Sequence, residues 1–336
     1  MISSASSSVI REVVEQFIRE ELSQENAQIA GAVWAMLDAG GKELRPRITL
    51  LSGSATHADA PKDPVLASYM ELIHLATLIH DDVVDNASLR RGKHSTNNVH
   101  GNRFSVLAGD YLFSWVFKKV TLGYDNPVPT ILSSMLSEIC NGEVKQLRAM
   151  GNLQLTRSQY FEIIGKKTAE LFASCAEVGS IVALQRMTGR SGAALRQHPV
   201  VQALRTYGWA FGMAFQIRDD LLDLTASEAS LGKPAGSDLR ERKVTLPLIM
   251  ALELGDARLR GAVSALFDAD ELESKGAAAQ LADVVHCLRH SAAIESAQRV
   301  VKEYELQARA ALKQLSPSKA GAELEALTHA LSEYSS

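Results

Sequence analysis

One acidic motif, D-D-x-x-D, occurs twice in this chain, each time directly after an apolar stretch. The first copy is Asp81–Asp85 and the second is Asp219–Asp223. Residues four apart share one face of a helix, so the outer two carboxylates of each copy are expected to point the same way. Carboxylates crowded in this way repel one another unless a cation lies between them. The repeat therefore predicts two helices whose acidic segments face each other across a cavity.

The apolar residues before each motif favour metal binding over the alternative of a solvated acidic surface. Residues 73–79 precede the first motif and residues 209–215 precede the second. Carboxylates that continue an apolar helix are expected to border a cavity rather than open water. Mg²⁺ prefers a few carboxylates combined with phosphate oxygens. The predicted metal ligands are Asp81, Asp82, Asp85, Asp219, Asp220 and Asp223.

The fold class follows from the spacing of apolar residues, which recur at intervals of three and four in segments rich in helix-forming residues. Prolines mark the gaps between these segments, and no sustained period-two alternation indicates strands. The pattern predicts an all-α protein of roughly ten or more helices. No composition break requires two domains, so we expect a disordered tail at 1–8 and a single helical domain at 9–336. Predicted helical segments include 65–86, 103–121, 130–149, 157–188 and 200–224.

Composition limits the class of partner and the compartment. The chain has 336 residues, is 46% hydrophobic and carries a formal charge of −4, which argues against nucleic acid as the main partner. Its three cysteines are widely spaced and indicate neither a disulfide framework nor a zinc site. The first residues lack the pattern of a signal peptide, and no apolar run approaches the length of a membrane span. We therefore expect a cytoplasmic protein without a membrane anchor.

Basic residues surround both acidic motifs. A diphosphate held by metal ions has further oxygens to satisfy, and Arg and Lys are the usual partners. Lys42 and Arg45 follow a glycine pair at the expected start of a helix, whose N-terminus also favours anions. Taken alone, each basic residue could equally be a solvated surface side chain. His74 taken alone could equally be an ordinary core residue. The candidate substrate-binding residues are Lys42, Arg45, His74, Arg90, Arg91, Lys167, Thr168, Gln216, Lys233 and Lys243.

Between residues 40 and 248 the chain resembles the trans-isoprenyl diphosphate synthases, or polyprenyl synthetases. The motifs that carry the resemblance are GGKELRP, ELIHLATLIHDDVVDNASLRRGK, GNRFSVLAGDYLF, GEVKQL, KTAELF, FQIRDDLLDL and LGKPAGSDLRERKVTLPL. The resemblance implies an isoprenoid-synthase-type helical bundle around a deep central cavity, assembled as a homodimer. It also implies Mg²⁺-dependent, head-to-tail condensation of isopentenyl diphosphate with an allylic diphosphate such as farnesyl diphosphate.

The resemblance further implies roles for single residues. The two motifs would bind about three Mg²⁺ ions per active site. Allylic diphosphate ligands would be Arg90, Lys167, Lys233 and Lys243, and isopentenyl diphosphate ligands Lys42, Arg45, His74 and Arg91. Thr168 and Gln216 match positions that line the reacting end of the prenyl chain. The residues expected to take part in catalysis are Asp81, Asp82, Asp85, Lys167, Thr168, Gln216, Asp219 and Lys233.

Product length depends on the residues before the first motif. Ala76 and Thr77 are small where short-chain family members often carry a bulky aromatic residue. A long prenyl tail is therefore expected to pass between this helix and the helix that starts near Arg103. The sequence around the first motif most resembles the long-chain branch of the family, and octaprenyl diphosphate is the favoured product. The alternatives are a farnesyl or geranylgeranyl synthase, a non-catalytic subunit of a heteromeric synthase, and a terpene cyclase. Two complete motifs argue against the subunit, and a second diphosphate site argues against the cyclase.

Three residues depart from the expected family pattern. Glu43 stands where the first motif commonly carries a further basic residue, which reduces the positive charge near Lys42 and Arg45. Arg103 and Arg218 stand where small or apolar residues are expected.

Overall fold

The computed structural model describes residues 12, 15–16, 20, 23–38, 40–90, 92–226, 235–268 and 275–333. The tail expected at 1–8 lies outside the described residues. So do two candidate site residues, Arg91 and Lys233.

The described chain is almost entirely helical, which confirms the all-α prediction. The helices are α1 Ser23–Glu25, α2 Ala27–Asp38, α3 Leu44–Thr56, α4 Pro64–Val84, α5 Thr96–His100, α6 Asn102–Gly123, α7 Val128–Ala149, α8 Arg157–Ile164, α9 Glu170–Thr188, α10 Pro199–Thr225, α11 Ser237–Arg240, α12 Leu246–Glu253, α13 Ala257–Phe267, α14 Lys275–Arg289, α15 Ala292–Leu312 and α16 Lys319–Glu333. A π-helical turn at Gly165–Ala169 separates α8 from α9, and a 3₁₀ turn spans Ala193–Gln197.

A short hairpin after α4 was not predicted. Strands β1 (Leu89–Arg90) and β2 (Lys93–His94) pair antiparallel, with Leu89 opposite His94. Two residues per strand are too few to show the period-two alternation that signals a strand. Gly92 has a φ of 76°, which glycine adopts without steric cost, and this allows the tight reversal.

The described residues divide into two compact units. The first unit comprises the described parts of Met1–Ser134, Phe172–Gly208 and Ala311–Glu325, and the second comprises those of Met135–Leu171, Trp209–Ala310 and Ala326–Ser336. The expected single domain remains a prediction. No helix within the described ranges is both long enough and apolar enough to cross a membrane.

Helix α4 is the centre of the first unit and packs against α3 and α6. Its start is fixed by Asp63, whose side chain accepts the backbone N–H of Leu66, followed by Pro64 at the first helical position. Helices α4 and α6 approach closely where His80 covers Gly109. A Cβ atom on Gly109 would lie 2.2 Å from His80 Nε2, so a larger residue here would require the His80 side chain to move.

Helices α8 and α10 carry most of the candidate residues of the second unit. Helix α8 starts at a capping box, in which Thr156 and Gln159 satisfy each other's backbone N–H groups. Helix α8 also packs against α12. The last turn of α10 is capped by Arg289 of α14, whose guanidinium donates to the carbonyl oxygens of Leu224 and Ala226. A cation at this position complements the negative end of the α10 dipole.

Candidate active site

The first acidic motif lies at the C-terminal end of α4. Asp81 and Asp82 belong to its last turn, and Asp85 is the C-cap residue. Three carboxylates here face the negative end of the helix dipole, so they repel one another and the helix terminus. Arg90 of β1 compensates one of them, because its Nε donates to Asp82 Oδ1 at 2.8 Å. Asp81 and Asp85 are half-buried, whereas Asp82 is 1% exposed.

Burial governs the protonation of Asp82. Loss of hydration raises the pKa of Asp82 above its usual value, and the neighbouring Asp81 and Asp85 raise it further. The hydrogen bond and the charge of Arg90 lower this pKa and offset part of the increase. Asn97 donates to the backbone oxygen of Asp82 at 3.0 Å. Asp82 is therefore fixed by the chain itself through both its side chain and its carbonyl.

The second acidic motif lies in the last two turns of α10. Its middle carboxylate, Asp220, is 5% exposed, and both of its oxygens accept hydrogen bonds. The hydroxyl of Tyr160 in α8 donates to Oδ2 at 2.5 Å, and Nε2 of Gln216 donates to Oδ1 at 2.8 Å. Gln216 Oε1 in turn accepts the hydroxyl of Thr168 at 2.7 Å. Of the two residues predicted to line the reacting end of the substrate, Gln216 is thus bonded directly to the acidic motif, and Thr168 is linked to it through Gln216.

Burial also dominates the electrostatics of the second motif. Desolvation raises the pKa of Asp220 to about 7, and the charges of Asp219 and Asp223 act in the same direction. The hydrogen bonds from Tyr160 and Gln216 lower this pKa. Burial and the adjacent carboxylate raise the pKa of Tyr160 well above its usual value, so its hydroxyl remains a donor.

The other two carboxylates of the second motif have different environments. Asp223 is buried and accepts the hydroxyl of Ser237 at 2.5 Å and the backbone N–H of Asp238 at 3.1 Å. Asp219 is exposed. In each motif the second aspartate is therefore buried and held by donors of the chain, whereas the first aspartate is more exposed.

Lys167 and Thr168 lie in the π-helical turn, a local distortion that is frequent at functional sites. Nζ of Lys167 lies 2.6 Å from Oε1 of Glu143 in α7. Helix α7 can approach the turn this closely because residue 142 is glycine. A Cβ atom on Gly142 would lie 2.7 Å from the backbone nitrogen of Lys167.

The remaining basic candidates differ in exposure. Lys42 is exposed before α3, and the guanidinium of Arg45 lies 4.6 Å from the ring centroid of Phe172. His74 is buried within α4. Lys243 is mostly buried and lies 2.5 Å from a carboxylate oxygen of Glu241. Their proximity to a substrate remains a prediction.

The sequence model of the polyprenyl synthetase family matches residues 26–285. The chain belongs to the polyprenyl synthetase family. Enzymes of this family are trans-prenyltransferases, and so is this chain. It is 33% identical to heptaprenyl diphosphate synthase component 2 of Geobacillus stearothermophilus, over 87% of this chain and 85% of that one. It is 36% identical to octaprenyl diphosphate synthase of Escherichia coli, over 72% of each chain.

A solved structure has the same fold. The decaprenyl diphosphate synthase of Rhodobacter capsulatus superposes with a TM-score of 0.84 at 33% sequence identity, covering 98% of this chain and 96% of that one. The products named for these three relatives differ in length. The family is therefore established, and its members include enzymes named for products of different length.

The two residues of the prenyltransferase that are predicted to control product length differ in burial. Ala76 is fully buried, and it shares a stripe of α4 with Tyr69 and His80. Both of these side chains contact aromatic rings of α6, Tyr69 against Trp115 and His80 against Phe113. Thr77 is half-buried, and its hydroxyl donates to the carbonyl of His74.

Three residues of this site were missed by the sequence analysis. Gly142 and Glu143 belong to the GEVKQL motif, so a signal existed, but no pattern linked them to Lys167. Nothing in the local sequence distinguishes Tyr160 from an ordinary buried aromatic residue. Its partner is sixty residues away in the chain, and only packing of α8 against α10 reveals the contact.

Proposed function

We propose that this prenyltransferase is a long-chain trans-polyprenyl diphosphate synthase that condenses isopentenyl diphosphate with an allylic diphosphate, with octaprenyl diphosphate as the favoured product. The product length in this proposal rests on the small side chains of Ala76 and Thr77 before the first motif. One observation carries the assignment of diphosphate chemistry. Both acidic motifs are complete, and in each the second aspartate is held by donors of the chain while the first is more exposed. A protein that only bound a partner chain has no electrostatic reason to keep six carboxylates at two helix ends.

The donor set fits Mg²⁺. Among the described residues, no three His, Cys, Asp or Glu side chains are close enough together to hold a metal ion by themselves. Mg²⁺ usually takes one or two carboxylates and completes its shell with phosphate oxygens and water. Asp81 and Asp85 would hold Mg²⁺ at the first motif, and Asp219 would hold it at the second. The other three predicted ligands are buried and already accept hydrogen bonds from the chain, which favours the more exposed three as the ligands; the buried three are Asp82, Asp220 and Asp223. When bound, Mg²⁺ would neutralise the diphosphate and make it a better leaving group.

The basic residues complete the diphosphate site in this proposal. Lys167, which precedes Thr168 in the π-helical turn, would supply an ammonium group where charge develops as the allylic C–O bond breaks. Arg90 holds Asp82 and carries positive charge at the end of α4. Lys42, Arg45 and His74 would bind the second diphosphate and orient the double bond of isopentenyl diphosphate toward the allylic cation. The departing diphosphate then accepts the proton whose loss restores the double bond.

The first test is a product assay. The protein is incubated with Mg²⁺, farnesyl diphosphate and excess labelled isopentenyl diphosphate, and the dephosphorylated products are sized by chromatography. We expect a ladder that ends near the octaprenyl length. Products that stop at geranylgeranyl would support the short-chain alternative.

The dependence on the two motifs is tested by Asp81→Ala and Asp219→Ala. Each substitution is expected to lower kcat by about a hundredfold or more, because each removes a charge that holds the metal-bound diphosphate. Asp283→Ala, at an exposed position of α14, is the matched control and is expected to keep full activity. Equal activity in all three variants would contradict the assigned role of the motifs.

A second candidate is suggested by one relative's name. Heptaprenyl diphosphate synthase component 2 is, by that name, one component of a synthase. The family resemblance implies a homodimer here, and the composition of the chain favours the cytoplasm. The two arrangements differ in what the purified chain can do. Prenyl transfer by the chain alone, at a mass of two protomers in solution, supports the homodimer. Activity that appears only after another chain is added supports the component.

A further inference from the structure

Tyr160 is a buried polar residue to which no step above assigns a task. It is 3% exposed, and its ring packs edge-on against Phe161 with centroids 5.6 Å apart. A buried tyrosine needs a hydrogen-bond partner for its hydroxyl, and here the partner is Asp220 of the second acidic motif. The Thr156 capping box fixes the start of helix α8 one turn before Tyr160.

The hydroxyl of Tyr160 is one end of a continuous chain of hydrogen bonds. Thr168 donates to Gln216, Gln216 donates to Asp220, and Asp220 also accepts from Tyr160. The chain of bonds joins three elements: the π-helical turn, α10 and α8. Both polar atoms of the Gln216 and Asp220 side chains are engaged, so neither side chain can rotate without breaking one of these bonds.

The fixed orientation of Asp220 also determines the orientation of its neighbour Asp219 in α10. Adjacent residues of a helix project about 100° apart, so the direction of Asp220 fixes the direction of Asp219. With Asp220 bound to Tyr160 and Gln216 on the inner side, Asp219 projects to the exposed side of α10. A small rotation of this turn would displace both Asp219 and Gln216.

We propose that Tyr160 is a positioning residue of this enzyme. By donating to Asp220, Tyr160 fixes the turn of α10 from which Asp219 and Gln216 project, and it touches neither substrate nor metal. This inference rests on the proposed function, in which Asp219 holds Mg²⁺. Partners that orient metal-binding carboxylates without touching the metal typically contribute about ten- to a hundredfold to metal affinity or activity.

The test is Tyr160→Phe, which removes the hydroxyl and keeps the ring. Mn²⁺ serves as the probe and is titrated in the presence of inorganic diphosphate, with free Mn²⁺ measured by electron paramagnetic resonance. We expect the apparent Mn²⁺ affinity to fall by about tenfold or more. In the prenyl-transfer assay we expect kcat to fall by a similar factor, while the KM for isopentenyl diphosphate changes less than about threefold.

Tyr304→Phe is the matched control. Tyr304 of α15 lies in the same aromatic group, with its ring 6.2 Å from that of Phe161. This variant is expected to bind Mn²⁺ and turn over substrate like the wild type. If Tyr160→Phe keeps the wild-type Mn²⁺ affinity, the inference is overturned, whether or not the protein has become less stable to heat.

The same experiment separates this inference from the proposed function. A wild-type protein that shows no prenyl transfer would contradict the proposed function. Its Mn²⁺ titration would still compare Tyr160→Phe with Tyr304→Phe. A wild type that binds no Mn²⁺ in the presence of diphosphate would overturn the role of Tyr160 together with that of Asp219.

Discussion

The ammonium group of Lys167 lies 2.6 Å from a carboxylate oxygen of Glu143, and each side chain is only about one-fifth exposed. The neighbouring pair, Lys166 with Glu138, joins the same two elements but is more exposed. Ion pairs shielded from water are screened less by solvent and salt than exposed ones. Glu143 is therefore a direct competitor for any diphosphate that binds Lys167.

Glu143→Gln is expected to lower the KM for the allylic diphosphate by about three- to tenfold. The amide keeps the size of the side chain but no longer repels the diphosphate or competes for Lys167. Steady-state kinetics with farnesyl diphosphate as the varied substrate measures the effect. Glu138→Gln, one turn away, is the control and should leave the KM unchanged. A higher KM for Glu143→Gln would mean that the carboxylate mainly holds Lys167 in place.

Arg90→Met is expected to destabilise the protein by roughly 3–5 kcal/mol, because Asp82 is left buried without its charged partner. The double variant Arg90→Met with Asp82→Asn should recover part of that loss, since no unpaired charge remains. Urea unfolding followed by circular dichroism measures both. Arg157→Met removes an arginine from the exposed pair with Glu253 and should cost less than about 1 kcal/mol. If Arg90→Met and Arg157→Met lowered the free energy of unfolding equally, burial of the Asp82 carboxylate would not increase the contribution of its ion pair.

Gly142→Ala is expected to lower both stability and activity. The added methyl group would lie 2.7 Å from the backbone nitrogen of Lys167, so α7 or the π-helical turn must shift. Gly261→Ala places the same group in α13, where nothing lies within 4 Å, and alanine favours helix there by about 0.5–1 kcal/mol. Thermal unfolding and the prenyl-transfer assay should therefore separate the two variants. A Gly142→Ala protein as stable as Gly261→Ala would show that the contact is easily relieved.

The stability of the metal-free protein should depend on pH through Asp220. Its pKa is about 7 in the folded chain, against an ordinary value of 3.8. Between these values the folded chain keeps a proton that the unfolded chain has released, so stability falls as pH rises through this window. Asp220→Asn cannot titrate. Its stability relative to wild type should therefore increase from about pH 4 to about pH 7 and then level off.

Urea midpoints measured in the presence of a chelator at several pH values check this expectation. Asp283→Asn, at an exposed position, is the control and should follow the wild type at every pH. A relative stability of Asp220→Asn that is constant with pH would show that Asp220 is ionised throughout the range.

The sequence by itself determined the fold class and the family, and it supplied the acidic residues that are candidate metal ligands. Helical spacing of apolar residues reports which face of a segment is buried, and it correctly located α4, α6, α7 and α10. The two copies of D-D-x-x-D were sufficient to identify candidate metal ligands, because the repulsion among adjacent carboxylates is a property of the local sequence. The order of the motifs along the chain then indicated the family, and the match to the polyprenyl synthetase family model confirmed it.

Tertiary structure alone decided which carboxylate of each motif is buried and which partner holds it. Asp82 and Asp220 occupy the same place in identical motifs, yet one accepts an arginine and the other a tyrosine and a glutamine. Local periodicity cannot distinguish these outcomes, because the donors come from separate elements whose approach depends on packing. The closeness of α7 to the π-helical turn at Gly142 is likewise a property of two surfaces in contact, and neither segment encodes it alone.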